Sequence, residues 1–339
     1  MTDESQPTAP GGPSVGGMSE GELLARIFPL LGDARGTLVG PGDDAAVLAE
    51  TPGPVVLSVD TLVEDADFRL VRSNGFTTSG YDVGWKSAAQ NLSDINAMGG
   101  TATSLVVSLT LPPHTPVTWV EDCARGLAAA IRELGAVCSV VGGDLGRGAQ
   151  IVVTAAVTGT LEGRQPVLRS GAQPGHVVAV AGTLGRAAAG LALLEDGRPL
   201  AVLGAAGEEL VAAQLRPRPP LAAGPAAASA GAGAMLDISD GLVRDSGRIA
   251  TASGVQLDLD PAALLHYAEP LRAAAGLLGV DAMDWVLGGG EDHGLLATFP
   301  RDALLPPGFT AVGSVGLGTP RVTLASQATA LRGWDHFAD

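Results

Sequence analysis

Apolar and polar positions along the 339-residue chain keep two rhythms, one near every third or fourth residue and one of short continuous runs. Leu23, Leu24, Ile27, Leu30 and Leu31 share one face of a predicted helix over 19–31, with Ser19 as its N-cap. The unbroken run 55–59 predicts a buried strand with Asp60 at its carboxyl end, where ligands of sheet proteins commonly bind. A second helix is predicted over 81–98 and stops at Gly99-Gly100, which leaves Asp94 in its last turns. A strand at 105–111 closes at Pro112-Pro113. The next helix starts at Thr118, with Glu121 completing a capping box, and Val120, Ala124, Leu127, Ile131 and Leu134 keep its period as far as Gly135. A short strand at 138–141 then delivers Gly142-Gly143-Asp144, and another is predicted at 151–157.

Composition shifts to Gly, Arg, Gln and Pro over 159–175, which marks the expected domain boundary. Beyond it the pattern predicts a strand at 177–180, helices at 184–194 and 221–230, and a loop-rich or partly helical segment at 197–220. A further helix runs to about Ser253, capped by Ser239 or Asp240. Gly288-Gly289-Gly290-Glu291-Asp292 turns into a strand at 295–299, and the aromatic stretch 333–337 is expected to pack back as a lid. Residues 1–17 carry no apolar period and read as a disordered tail. Strands alternating with amphipathic helices imply an α/β, layered α+β fold in two domains, 18–160 and 161–339.

Composition narrows the function. Apolar residues make up 46% and aromatic ones 4%, so the cores rest on Ala, Val and Leu. A net charge of −16 argues against nucleic acid or an anionic membrane surface as partner. No apolar run reaches membrane-spanning length, and Met1-Thr2-Asp3-Glu4 lacks the basic start of a signal peptide. Two cysteines, Cys123 and Cys138, can build neither a disulfide framework nor a four-ligand zinc site, so a reducing, cytoplasmic setting is expected.

The chemistry lies in acids beside glycines or at the ends of apolar runs. Asp43 and Asp44 follow Gly40-Pro41-Gly42, and Asp60, Asp94, Asp144, Asp237 and Asp240 complete the set. Such carboxylates repel one another unless cations hold them. Gly12-Pro13-Ser14-Val15-Gly16 matches the serine-hydrolase GxSxG pattern without the strand and helix that motif needs. Gly40 to Ala45 matches GxGxxA, but its two acids would repel a bare pyrophosphate. The chain has no GxxxxGK[ST] loop, and its five scattered histidines offer little for a triad. Hard oxygen ligands select Mg²⁺, which prefers sites shared with phosphate oxygens, so a Mg²⁺-dependent phosphate or nucleotide enzyme is indicated.

Six segments in one order resemble the thiamine-monophosphate kinase family: Gly42-Asp43-Asp44, 58–63, 91–99, Val141-Gly142-Gly143-Asp144, 237–242 and Gly289-Gly290-Glu291-Asp292. The resemblance implies an aminoimidazole ribonucleotide synthetase-like fold, with a homodimer formed through the N-terminal sheets and ATP and Mg²⁺ bound by the first domain. It implies direct in-line transfer from ATP to thiamine monophosphate. Asp43, Ser58, Asp60, Asp94, Asp144, Asp237 and Asp240 would hold several Mg²⁺ ions, with Asp43, Asp60 and Asp94 as the catalytic acids. Gly143, Asp144, Arg169 and Ser239 would contact the nucleotide, while Asp67, Glu291 and Trp334 would meet the acceptor. The chain departs from the family at Asp67, where a histidine is frequent, at Leu145-Gly146, at His293-Gly294 and in a long 71–80 segment. Another ATP-using member of the superfamily, or a nucleotide-binding regulator without turnover, remains an alternative on sequence alone.

Overall fold

The computed structural model describes residues 12–33, 35–42, 44–51, 53–199, 202, 204–329 and 333–334. Its elements run α1 (Glu20–Ile27), β1 (Thr37–Val39), β2 (Val47–Leu48), β3 (Val55–Val63), α2 (Gly80–Ala97), β4 (Thr101–Leu111), α3 (Val117–Glu133), β5 (Ser139–Arg147) and β6 (Val152–Thr160). There follow β7 (Val177–Ala181), α4 (Arg186–Glu195), α5 (Gly204–Leu215), α6 (Ala223–Ser229), β8 (Ala234–Ile238), α7 (Leu242–Ser253), β9 (Gln256–Leu259) and α8 (Pro261–Ala268). The last are α9 (Arg272–Leu278), α10 (Ala282–Gly288), β10 (Gly294–Phe299), β11 (Phe309–Gly316), β12 (Arg321–Leu324) and β13 (Gln327–Ala328). The larger strands form two sheets, of order β3-β6-β4-β5 and β13-β12-β9-β11-β7-β10-β8. The architecture is α/β, as the sequence pattern predicts.

One face of the first sheet packs on α2 and α3 through Leu62, Leu105, Leu109, Val153 and Val157. The two helices approach at backbone distance, because a Cβ at Gly84 would collide with the Cys123 carbonyl oxygen and one at Gly126 with that of Tyr81. Helix α2 starts at a full capping box, with Ser79 and Asp82 satisfying each other's backbone N–H. It is buried nearly all round: only Tyr81, Gln90 and Asp94 retain partial exposure. Its far side touches the second half of the chain, where Trp85 Nε1 donates to the Pro217 carbonyl at 2.8 Å and Asn96 Oδ1 accepts from Gly224 N at 2.8 Å.

Several expectations change. β3 runs nine residues, because its antiparallel ladder with β6 continues past Asp60, which pairs opposite Ala155. Asp60 therefore lies inside the strand, not at its end. The strand is also not buried on both faces: Val55, Leu57 and Val59 are 64%, 71% and 61% exposed, while Ser58, Asp60 and Leu62 turn inward. β5 extends to Arg147 alongside β4, so Gly142-Gly143-Asp144 are residues within a strand. Helix α3 starts at Val117 without a side-chain cap; Glu121 instead accepts from Arg26 Nε at 2.6 Å and Arg125 Nη2 at 3.3 Å. Of the expected tail, residues 12–17 are tied to the segment before α3, with Gly16 N donating to Pro113 O at 2.8 Å and Val117 N to Pro13 O at 2.9 Å. Ser14 lies on a bridge to Pro116, outside any strand-to-helix elbow.

Candidate active site

A cleft of about 980 Å³ opens between the two halves. Asp60 reaches it from β3, Asp94 from α2 and Asp237 from the end of β8. Ser58, two residues before Asp60 on the same face of β3, donates its Oγ proton to Asp94 Oδ2 at 2.5 Å. From α2, Ser93 Oγ donates to Asp237 Oδ2 at 3.1 Å, and His293 Nδ1 lies 3.2 Å from the same oxygen. Burial first, and then the charges of Asp237 and Asp60, push the Asp94 carboxyl up to about 7. Asp60 is raised as well, mainly by burial, with Asp237 adding to it and His293 opposing. Burial alone would pull the His293 imidazole down, but its hydrogen bond to Asp237 and the charges of Asp237 and Glu291 outweigh this and raise it. These acids are held close enough to oppose one another's ionisation, a condition that an added cation relieves.

The 239–241 turn is fixed by a residue the sequence reading did not weigh. Neither Ser239 nor Asp240 caps α7; the capping position is Gly241, at φ +117, and its helix lacks a side-chain cap. Asp245, on the first turn of α7 and fully buried, accepts from Asp240 N at 3.0 Å and Gly241 N at 3.1 Å instead. Arg248 donates to Asp245 Oδ1 at 2.5 Å and also to Asp240 Oδ2. Asp240 thus faces the cleft already paired with a guanidinium. At its other end, Glu291 stands at φ +65 after the glycine run. Lys86 Nζ lies 2.5 Å from its Oε1, and Gln214 Nε2 donates to Oε2 at 2.7 Å. Burial would raise Glu291, but Lys86 and these hydrogen bonds hold it below the usual carboxylate range. Asp292 accepts from Thr183 Oγ1 and from the Arg186 and Ala187 amides, at 2.7, 3.2 and 3.1 Å, so it caps α4 from a distance.

Of the residues singled out in the sequence, Asp60, Asp67, Asp94, Arg169, Asp237, Ser239, Asp240, Glu291 and Trp334 line this one cleft. Trp334 is 58% exposed, and its backbone N donates to Asp240 O at 2.9 Å. Asp67, in the turn after β3, bends back on the end of that strand, accepting from Val63 N at 2.7 Å. Gly143 and Asp144 lie outside the cleft lining, on the edge strand β5. That edge is three strand spacings from β3, or about 14 Å. Asp43 lies outside the described residues; its neighbour Asp44, in the β1–β2 connection, does not border the cleft. Lys86, Gln214, Asp245 and Arg248 went unread. Only Lys86 left a signal, as the one lysine of the chain, set within the helix expected over 81–98.

Among the described residues, no three acids, histidines or cysteines form a group able to hold a metal ion by themselves. Mg²⁺ commonly needs only one or two carboxylates when phosphate oxygens and water complete its octahedron. The hard-oxygen donors Asp60, Asp94 and Asp237 around the cleft fit that requirement.

Comparison with known proteins sets the class first. Residues 42–161 match the model of the AIR synthase related protein, N-terminal domain. The thiamine-monophosphate kinase of Mycobacterium tuberculosis is 42% identical over 340 residues, covering 100% of this chain and 98% of that protein. This chain belongs to the thiamine-monophosphate kinase family. The solved thiamine-monophosphate kinase from Stenotrophomonas maltophilia K279a superposes at a TM-score of 0.75 with 30% identity, over 92% of this chain and 98% of that one. AaThiL complexed with AMPPCP and TMP superposes at 0.72 with 30% identity, over 84% and 87%.

Proposed function

We propose that this chain transfers the γ-phosphoryl group of ATP to thiamine monophosphate, giving thiamine diphosphate and ADP. Family membership supports the reaction, and the solved relative complexed with AMPPCP and TMP supports both substrates. The observation that carries the reading is the meeting of Asp60, Asp94 and Asp237, from three separate elements, in one cleft large enough for both substrates. A phosphate oxygen of the acceptor attacks the γ-phosphorus in line. The bond to the β–γ bridging oxygen breaks, and its electron pair leaves on ADP. The acceptor's second phosphate pKa, near about 6, leaves it ionised at neutral pH, so the chain need supply no general base. Its own task is to orient the two substrates and screen their charge.

Asp60, Asp94 and Asp237 would hold Mg²⁺, with Ser58 and Ser93 orienting two of the carboxylates. Mg²⁺ bound there would supply charge neutralisation across the phosphates. Arg169 and Ser239 are read as nucleotide contacts, and Asp67, Glu291 and Trp334 as acceptor contacts. Asp43, Gly143, Asp144 and Asp240 stay assigned to metal or nucleotide on the resemblance alone. The domain division at 160 and 161 belongs to the same reading.

A homodimer is part of this proposal. Val55, Leu57 and Val59 of β3 and Val106 of β4 expose an apolar sheet face that no part of the described chain covers. A second copy set against it would bury these side chains.

The decisive assay is ADP release from Mg·ATP with thiamine monophosphate, run beside thiamine and an Asp60→Asn variant. Turnover is expected with thiamine monophosphate only, reduced about 10²-fold or more in the variant, as for loss of a group that stabilises transition-state charge. Equal rates with thiamine, or none with thiamine monophosphate, would end the reading.

A further inference from the structure

One wall of the cleft carries two guanidinium groups that the reaction, as read above, does not use. Arg69 Nη1 and Arg72 Nη1 both point at a single oxygen, Glu195 Oε1 at the end of α4, at 3.3 and 3.4 Å. Arg72 is only 9% exposed, and among the described residues its Nε has no hydrogen-bond partner. Both arginines border the cleft beside Asp67 and Phe68. Burial lowers the Arg72 pKa from its ordinary value, with Glu195 and Glu291 opposing that shift. Arg72 also lines a small pocket with Lys86 and Gln214, the two partners of Glu291, which on the reading above puts it on the acceptor's side of the cleft.

The backbone that presents Arg72 is held on both sides. Arg72 N donates to Phe76 O at 2.9 Å, Gly75 N returns to Arg72 O at 2.9 Å, and Thr78 Oγ1 donates to Arg69 O at 2.6 Å. Asn74 Nδ2 then ties the loop to the carbonyls of Leu194 and Arg198, at 3.5 and 3.3 Å. A simple structural salt bridge would explain a loop fastened to α4. It does not explain why two cations share one half-exposed carboxylate oxygen at distances well beyond the about 2.7–2.9 Å of a charge-assisted hydrogen bond. Nor does it explain why the buried member keeps an unused donor. The three groups together retain one positive charge, and the Arg72 guanidinium keeps an unpartnered Nε–H, which suits a phosphate oxyanion.

We propose that Arg72, assisted by Arg69, forms an oxyanion subsite for the phosphate monoester of the acceptor, with Glu195 as an internal competitor for the same donors. The inference rests on the reaction proposed above and adds the residues that select a phosphorylated acceptor. A subsite of this kind distinguishes thiamine monophosphate from thiamine without touching the nucleotide.

The test measures KM for thiamine monophosphate and for ATP in Arg72→Met, Arg72→Lys, Arg69→Met and Glu195→Gln variants of the full chain. Arg72→Met should raise the acceptor KM about tenfold or more, the cost of one charge-assisted pair, with the ATP KM unchanged within a factor of about two. Arg72→Lys should recover part of that loss, and Arg69→Met should show a smaller rise. Glu195→Gln should lower the acceptor KM, whereas a purely structural bridge would leave it unchanged or raise it. That half-exposed position also decides the matter should Arg72→Met not fold. An unchanged acceptor KM in Arg72→Met, or a raised one in Glu195→Gln, overturns the subsite and leaves the reaction standing. If the wild type does not turn over thiamine monophosphate, calorimetry with inorganic phosphate replaces the kinetics. Binding lost in Arg72→Met then supports the subsite, and equal or absent binding in both proteins overturns it.

Discussion

Asp94 is where the cost of assembling this site is concentrated. Its carboxyl titrates near 7 because it is buried and faces Asp237 and Asp60, so near neutrality it holds a proton part of the time. Mg²⁺ and the proton therefore compete for it, and Mg²⁺ affinity should rise as pH increases from 6 to 8; titration calorimetry at three pH values checks this. The linkage has a definite sign. An aspartate whose folded pKa lies above its unfolded value near about 3.9 opposes folding as pH climbs from about 4 toward 7. Without divalent cation, Asp94→Asn should therefore melt higher than wild type at pH 8 and close to it at pH 4; the reverse order at pH 8 would refute the assignment. The two thiols behave differently. Burial pushes Cys123 and Cys138 each up to about 12, so the folded chain should resist iodoacetamide at pH 8 and react only after denaturation, as intact mass spectrometry would report. At this scale the sequence was legible where an acid ended an apolar run, as Asp60 and Asp237 do, or fell in the last turns of a helix stopped by glycines, as Asp94 does. It was silent on Gln214 and gave Lys86 no partner; the fold brings both to Glu291.

At the scale of elements, the periodic helices were readable because one side of each repeats into the core. α1, α2 and α3 fall within a residue or so of their expected starts, and the Ser19 cap is present with Glu22 completing its box. The strands were read short and β3 as buried, because a run of Val and Leu does not say whether the chain itself will cover both sides. Asp245 was missed because a helix start can be held by a buried acid reaching back to the turn as well as by a cap residue. The α2–α3 contact yields a prediction of its own. Gly84→Ala forces a methyl group against the Cys123 carbonyl oxygen, a backbone atom that cannot swing aside. It should cost about 1–3 kcal/mol, as overpacking does, and lower the melting temperature in a thermal scan. A melting curve unchanged by the substitution would mean that the helices can separate at no cost.

For the whole molecule, the open face of the first sheet is the largest statement the fold makes about company. Leu57→Glu and Val59→Glu, both on exposed positions, should leave a folded chain that elutes at half the wild-type mass in light scattering. A wild type that already runs as a monomer would remove the dimer from the proposal. The contacts that α2 makes with Pro217 and Gly224, far along the chain, were not legible in the sequence. That helix has just three positions that are not sealed in, and two of them, Gln90 and Asp94, look into the cleft. Solvent therefore reaches the second half of this helix through the cleft, at Gln90 and Asp94. On the proposed reading, a nucleotide bound in the cleft would cover those two positions, an effect unrelated to turnover. The amide hydrogens of α2 should then exchange with deuterium more slowly when ligand is present, over a stretch extending well beyond the residues the ligand touches.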